Sequence, residues 1–237
     1  MLVKEACVFG DSIARGVILD DQGSYKPLKD CFASLAAEEL GVALVNKARF
    51  GCTIAKGREI IERTLDRFLG KSKEPVFDYV FLEFGGNDCD FRWDEISVKP
   101  YAQHLPATPP ELFVKQYSEV IEELRARGLK PILLTLPPLV AERYFAWFTR
   151  TGLDQKAILK WLGDIEFIYR WHESYSCLVW EIGEKYDAPV IDIRKTFLEQ
   201  RNYQRFLCKD GIHPNVDGHS LIKAEIVAFA KQHLVES

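Results

Sequence analysis

No apolar run in this 237-residue chain approaches the length of a membrane-spanning helix, and its charges nowhere gather into a long block of one sign. The opening "MLVKEACVFGDS" meets charge too early to be a secretory apolar segment. With 31 basic and 35 acidic residues the formal charge is −4. That balance offers no basic surface for nucleic acid and no anchor for an anionic membrane, so neither is an expected partner. A cytoplasmic location without an integral membrane segment is the expectation. The six cysteines, at 7, 31, 52, 89, 177 and 208, lack paired ligand spacing and are expected to be reduced. No local group of His, Cys and carboxylates has metal-binding spacing, so neither a metal nor another cofactor is expected. Internal repeats and low-complexity tracts are also missing.

What the chain does contain is apolar material enough for a substantial core, 47% of its residues, in one domain spanning 1–237. The runs "ACVF", "VALV", "YVFLEF", "PILLTL" and "PVIDI" recur between stretches of helical periodicity. That alternation predicts an α/β fold, a parallel sheet with helices on both faces. Phe32, Leu35, Ala36 and Leu40 form one helical stripe, and Ile60, Ile61, Thr64, Leu65 and Phe68 form another. Thr108, Pro109 and Glu111 read as a capping box opening a helix that Gly128 ends. Helical spacing continues from Asp154 to Tyr186 with Gly163 as a divider, and a final helix should follow Asn215 or Asp217.

Two segments, about 88–110 and 137–153, read as loops at the carboxyl ends of the third and fourth strands. In an open parallel sheet that rim is the favoured ligand site. Trp93, Tyr101, Tyr144, Phe145, Trp147 and Phe148 in these loops are candidates to line a substrate groove, or to anchor the loops to the sheet. Arg92, Lys99, Glu142 and Arg143 could recognise a polar leaving group or simply be solvated.

Ser12, just past the first apolar run, is either a turn residue or a nucleophile displayed at the strand end. Asp11 beside it suits support of the turn. Asp210 stands three residues before His213, a spacing that lets a carboxylate orient an imidazole whose other nitrogen accepts a hydroxyl proton. The same pair could merely organise the approach to the last helix. Backbone N–H groups of Ser12 and Gly51 and the side-chain amide of Asn87 could converge as oxyanion donors; alternatively, Gly51 permits a turn and Asn87 satisfies loop carbonyls. His172, on a helical stripe, suits a packed interior position; His219 could face a pocket or cap the last helix; and His104 and His233 suit loop or surface positions.

Taken together, "FGDSIARG", "NKARFGCT", "EFGGND" and "DGIHPN", in this order across almost the whole chain, resemble the SGNH hydrolase family, also called GDSL-like lipases and esterases. The resemblance implies a three-layer αβα, flavodoxin-like fold with a five-stranded parallel sheet in 2-1-3-4-5 order. It implies Ser12 as nucleophile, His213 as general base, Asp210 as its orienting acid, and Gly51 and Asn87 as oxyanion-hole residues. Asp88 would organise its loop and Asn46 would brace the second block. The expected partner is a small-molecule acyl ester, such as an O-acylated carbohydrate, hydrolysed through an acyl-enzyme. Acyl transfer by the same nucleophile, a noncatalytic ligand-binding role on this scaffold, and homo-oligomerisation through an apolar helix face stay open.

Overall fold

The computed structural model describes residues 5–69 and 77–234, the side chains of Phe68 and Leu69 excepted. In chain order, β1 (Glu5–Gly10) leads into a one-turn helix, α1 (Ser12–Arg15), then a hairpin of β2 (Val17–Leu19) and β3 (Tyr25–Pro27). Next come α2 (Phe32–Leu40), β4 (Ala43–Asn46), α3 (Ile54–Leu69) and β5 (Tyr79–Glu83). The segment after β5 carries α4 (Trp93–Val98) and α5 (Pro110–Ala126), and is followed by β6 (Lys130–Leu134). The chain continues through α6 (Ala141–Thr149), α7 (Gln155–Leu162), α8 (Phe167–Lys185), β7 (Val190–Ile191), α9 (Ile193–Leu198) and α10 (Val216–His233).

The main sheet has the order β4-β1-β5-β6-β7, all parallel, which is the expected 2-1-3-4-5 arrangement. Strand side chains alternate between its two faces. Cys7, Phe9, Val80, Leu82 and Leu133 pack into a core shared with α3, α5 and α8. Val8, Ile132, Leu134 and Ile191 meet α2 and α10 on the opposite face. Helix signals in the sequence hold well there: Gly163 separates α7 from α8, and Asn215 caps α10 by accepting the Gly218 N–H at 3.0 Å. Phe68 lies outside the described side chains.

Three readings need correction. Thr108 does not cap α5; its hydroxyl donates instead to Asp88 Oδ1 at 2.7 Å, and Pro109 occupies the cap position. The β2–β3 hairpin was not expected, because three-residue strands give too little alternation to see, although Asp20 closes its turn by accepting the N–H groups of Gln22 and Ser24. Finally, the segments read as loops 88–110 and 137–153 fold into α4 and α6, which join α7 in a third core through Trp93, Ile96, Phe145, Ile158 and Leu162. Ala141, Phe145 and Thr149, four residues apart and all buried, form the helical stripe that seats α6.

Gly57 shows how tightly the α3 face is packed. A Cβ there would stand 2.4 Å from the ring of Phe84, which is fully buried. Helix propensity alone would favour alanine by about 1 kcal/mol. Overpacking against a rigid ring costs about 1–3 kcal/mol and should win. Gly57→Ala is therefore expected to destabilise the protein in urea unfolding, and the penalty should shrink when Phe84→Leu is introduced with it; additive effects would contradict the contact.

Candidate active site

The amino-terminal turn is built around close backbone approach. A Cβ on Gly10 would lie 2.5 Å from the Glu83 carbonyl oxygen and 2.7 Å from the Ala14 Cβ, so the position before Asp11 has room only for glycine. Asp11 then caps α1, its Oδ1 accepting the Ile13 N–H at 2.8 Å. This places Ser12 at the first position of the helix, over the carboxyl edge of the sheet.

Although 201 residues apart in sequence, His213 Nε2 lies 2.9 Å from Ser12 Oγ. On the other side of the ring, His213 Nδ1 is 2.7 Å from Asp210 Oδ2. Asp210 is fully buried, and its Oδ1 accepts the N–H groups of Ile212 and His213 at 3.1 and 3.2 Å. Burial alone would raise its carboxyl, but the hydrogen bond and charge of His213, helped by those two N–H donors, hold it below the ordinary carboxylate value. Tyr25 and Phe50 flank the imidazole, with ring centroids 5.0 and 6.2 Å away.

Asn87 Nδ2 donates one hydrogen bond to Asp11 Oδ2 at 2.8 Å. Among the described residues, the N–H groups of Ser12 and Gly51 have no acceptor. Gly51 adopts φ +66°, and its neighbour Phe50, rather than Gly51 itself, borders the cavity. Asn46 ties the second block to the first, its Nδ2 donating to the Ala14 carbonyl at 2.8 Å and its Oδ1 accepting from Ala48 N–H at 3.0 Å. Asp88 anchors the third: its Oδ1 accepts the Ile54 N–H at 3.0 Å and the Thr108 hydroxyl.

Ser12, His213 and Asn87 open on a cavity of about 230 Å³. Of the six aromatic residues proposed to line a groove, Trp93 and Tyr144 do so. Phe145 is buried in the third core, and Phe148 stacks on Trp93 with centroids 4.5 Å apart, behind the wall. Trp147 packs against Tyr25 and the Arg150 guanidinium. Tyr101 is 80% exposed and pairs with Lys160, away from the cavity. On α6 the helical turn carries Phe145 and Trp147 away from the side of Tyr144, while Phe148, one turn after Tyr144, is taken up by stacking on Trp93. Arg92, Lys99, Glu142 and Arg143 also lie off the cavity wall, Arg92 pairing with Asp94 and Glu95.

The wall includes residues that sequence reasoning passed over: Tyr25, Phe50, Asp90, Phe91, Trp171 and Ile212. Asp90 Oδ1 accepts the Trp93 indole N–H at 2.9 Å. Burial raises the Asp90 carboxyl to about 6, against hydrogen bonding from Tyr144 and Trp93. His172 borders the same cavity, kept neutral by burial and by the Arg194 charge. His219 is buried behind the site; its Nδ1 accepts the Phe32 N–H at 3.4 Å, and burial followed by the His213 charge lowers it to about 4. Only the position of Asp90, three residues after Asn87, would have suggested its presence at the rim. Among the described residues, no group of three or more His, Cys, Asp and Glu side chains could hold a metal ion.

The parallel sheet and the hydroxyl–imidazole–carboxylate chain over its edge are those of an α/β hydrolytic enzyme. Residues 8–221 match the GDSL-like lipase/acylhydrolase family, and the chain belongs to that family. An uncharacterized lipoprotein of Bacillus subtilis, YqeF, is 25% identical over 202 residues, covering 83% of this chain and 73% of the relative. A lipase/acylhydrolase from Enterococcus faecalis superimposes with a TM-score of 0.63 at 22% identity, covering 97% of this chain and 96% of that one. A catalytic mutant of an acetylxylan esterase from Geobacillus stearothermophilus gives a TM-score of 0.65 at 19% identity over all of both chains. These two structural likenesses speak to the fold.

Asp88 gives the site a pH signature. Its carboxyl is fully buried, and burial raises it from 3.8 to about 6 despite the hydrogen bonds from Thr108 and Ile54. The folded chain thus holds this proton more tightly than the unfolded chain. The resulting stabilisation is complete below pH 3.8 and is lost as pH rises toward 6. Asp88→Asn should flatten this limb: the stability of wild type relative to the variant should fall across that interval by on the order of 3 kcal/mol. Thermal or urea unfolding between pH 4 and 7 measures it, and parallel curves would contradict the assignment.

Proposed function

We propose that the protein hydrolyses small carboxylic esters through an acyl-enzyme on Ser12. The observation that carries this reading is the unbroken chain from Ser12 Oγ through His213 to buried Asp210, at 2.9 and 2.7 Å, opening on an aromatic cavity. His213 Nε2 takes the Ser12 proton as Oγ attacks the ester carbonyl, and Asp210 holds the ring so that Nε2 is the accepting nitrogen. Negative charge then grows on the carbonyl oxygen. Ser12 N–H, Gly51 N–H and the Asn87 N–H not engaged by Asp11 are the donors that receive it. The imidazolium next protonates the departing alcohol, and the same nitrogen activates water to release the acid.

The substrate class follows from the wall. Trp93, Phe91 and Trp171 offer flat apolar faces, while Asp90, held by the Trp93 indole, presents a carboxylate that can accept hydroxyl donors. An O-acylated carbohydrate combines a flat ring face with hydroxyl groups and fits both features. The acetylxylan esterase of like fold acts on such a substrate by its name. The cavity volume of about 230 Å³ favours a short acyl group over a long chain.

A panel of acetylated sugars, simple esters and long acyl lipids, run with wild type and Ser12→Ala, tests the reading. Ser12→Ala should lose at least about 10⁴-fold in kcat while remaining folded. Asn87→Ala should lose about 10²–10³-fold in kcat, on the order of 3 kcal/mol, with little change in KM. Normal turnover by folded Ser12→Ala would reject the covalent mechanism. Asp90→Asn should raise KM for acetylated sugars more than for simple esters; an equal change for both would remove Asp90 from substrate recognition.

A further inference from the structure

Two carboxyl groups beside Ser12 take no direct part in the reaction outlined above. Asp11 and Glu83 are each 1% exposed, and they leave neighbouring strands at the same level, where Gly10 of β1 pairs with Glu83 of β5. Asp11 Oδ1 holds the Ile13 N–H and Oδ2 holds the Asn87 amide, both at 2.8 Å. Glu83 Oε2 accepts the Ala14 N–H at 3.2 Å. Between them the two side chains fix the two N–H groups that follow Ser12 and one N–H of the oxyanion amide. Among the described residues buried Glu83 Oε1 accepts from no donor, and Glu83 borders both the active-site cavity and an apolar pocket lined by Val8, Phe81 and Leu134.

We propose that Glu83 is a positioning residue for the oxyanion hole, acting through Asp11 to hold the Asn87 amide and the Ser12 turn; the proposal rests on the reading of Asn87 as an oxyanion donor. Two ionised carboxylates packed together can only accept, and they repel one another. One proton between them converts that repulsion into a hydrogen bond from Glu83 to Asp11. Burial, then the Asp11 charge, pushes the Glu83 carboxyl well above its ordinary range. Asp11 is raised by burial but held down by the Ile13 N–H and by Glu83, so it is the member that carries the charge. An ionised Asp11 accepts an amide N–H from Asn87 and rejects its carbonyl oxygen. The Asn87 side chain is thereby locked with its second N–H free for substrate.

The groups facing the pair act on its charge as well. His213 favours ionised Asp11, whereas Asp88 opposes it. Burial first, and then the charges of neighbouring carboxylates, raise Cys52, Cys89 and Tyr117, and all three stay neutral. The shared proton leaves the pair one negative charge, and its loss would add a second behind the oxyanion site and remove the hydrogen bond that holds Asp11.

The test combines Glu83→Gln, Glu83→Ala, Asn87→Ala and the double variant Glu83→Ala/Asn87→Ala. Glutamine keeps a donor toward Asp11 and an acceptor for Ala14 N–H but cannot ionise. It should retain kcat within a few-fold of wild type, rescuing the loss expected of Glu83→Ala. Glu83→Ala should lower kcat about 10–100-fold with KM little changed, and the double variant should lose clearly less than the product of the two single losses, since part of the Glu83 effect passes through the Asn87 amide. A loss of kcat in Glu83→Gln as large as that of Asn87→Ala would overturn the proposal, even if Glu83→Ala fails to fold. Fully additive losses in the double variant, with Asn87→Ala impaired, would overturn the positioning role alone. Wild-type kcat in Asn87→Ala would instead remove the oxyanion reading itself.

Discussion

The register between β1 and β5 fixes the height of everything at the site. With Phe9 opposite Leu82 and Gly10 opposite Glu83, both strands stop at the same level, and the residues that follow them, Ser12 and Asn87, emerge side by side. A slip of one residue would reverse every side chain on a strand, sending Val80 and Leu82 out of their core and Glu83 across the sheet. The buried faces forbid such a slip, because Cys7, Phe9, Val80 and Leu82 belong to one core and Val8 to the other. Core packing thus sets catalytic geometry here without any of those core residues touching the cavity. Gly10 is the point where the two demands meet, since only a residue without Cβ lets the strand ends approach this closely.

Onto that fixed edge the carboxyl-terminal segment brings its imidazole. The Asp210 to His213 turn is held by its own backbone donors to Asp210, and by the Cys208 N–H donating to the His213 carbonyl at 2.8 Å. Cap Asn215 follows at once, so the turn is clamped between α10 and the preceding loop. The geometry of the ring is therefore settled by local hydrogen bonds, while its distance to Ser12 depends on α10 packing against α2 through residues such as Ile222 and Ile226. Precision of the base comes from the turn, and its placement comes from the core.

How much of this could be read in the sequence depended on how many constraints each residue obeys. Ser12, Asn87, Asp210 and His213 sit at strand or helix boundaries with fixed neighbours such as Gly10 and Asn215, so short motifs preserve their spatial relation. The sheet order was legible only through the family resemblance; the short apolar runs located the strands but left their order open. The aromatic residues answered a different rule. Phe145 and Phe148 were read as pocket candidates because they follow a strand end, but their spacing with Ala141 and Thr149 obeys helical packing, and packing took them. Tyr25 and Phe50 reach His213 from the hairpin and from the turn after β4, through contacts that no local pattern encodes.

The electrostatics of the site select among nucleophiles and substrates. Asp11, Glu83 and Asp90 line the cavity, Asp210 holds His213 behind it, and among the described residues no lysine or arginine lines it. Cys52, next to Gly51, shows the consequence: burial first, then the charges of Asp11 and Asp88, push its thiol up to about 11, so it offers no thiolate near neutral pH. A serine that passes its proton directly to His213, as proposed, needs neither a thiolate nor a free alkoxide in this field. On that proposed mechanism the oxyanion is stabilised by donors aimed at it rather than by net positive charge, so the orientation of the Asn87 amide becomes the controlling geometry. A substrate bearing its own carboxylate would meet Asp90 and Asp11 in this cavity. The neutral, hydroxyl-bearing ester proposed as substrate avoids that repulsion.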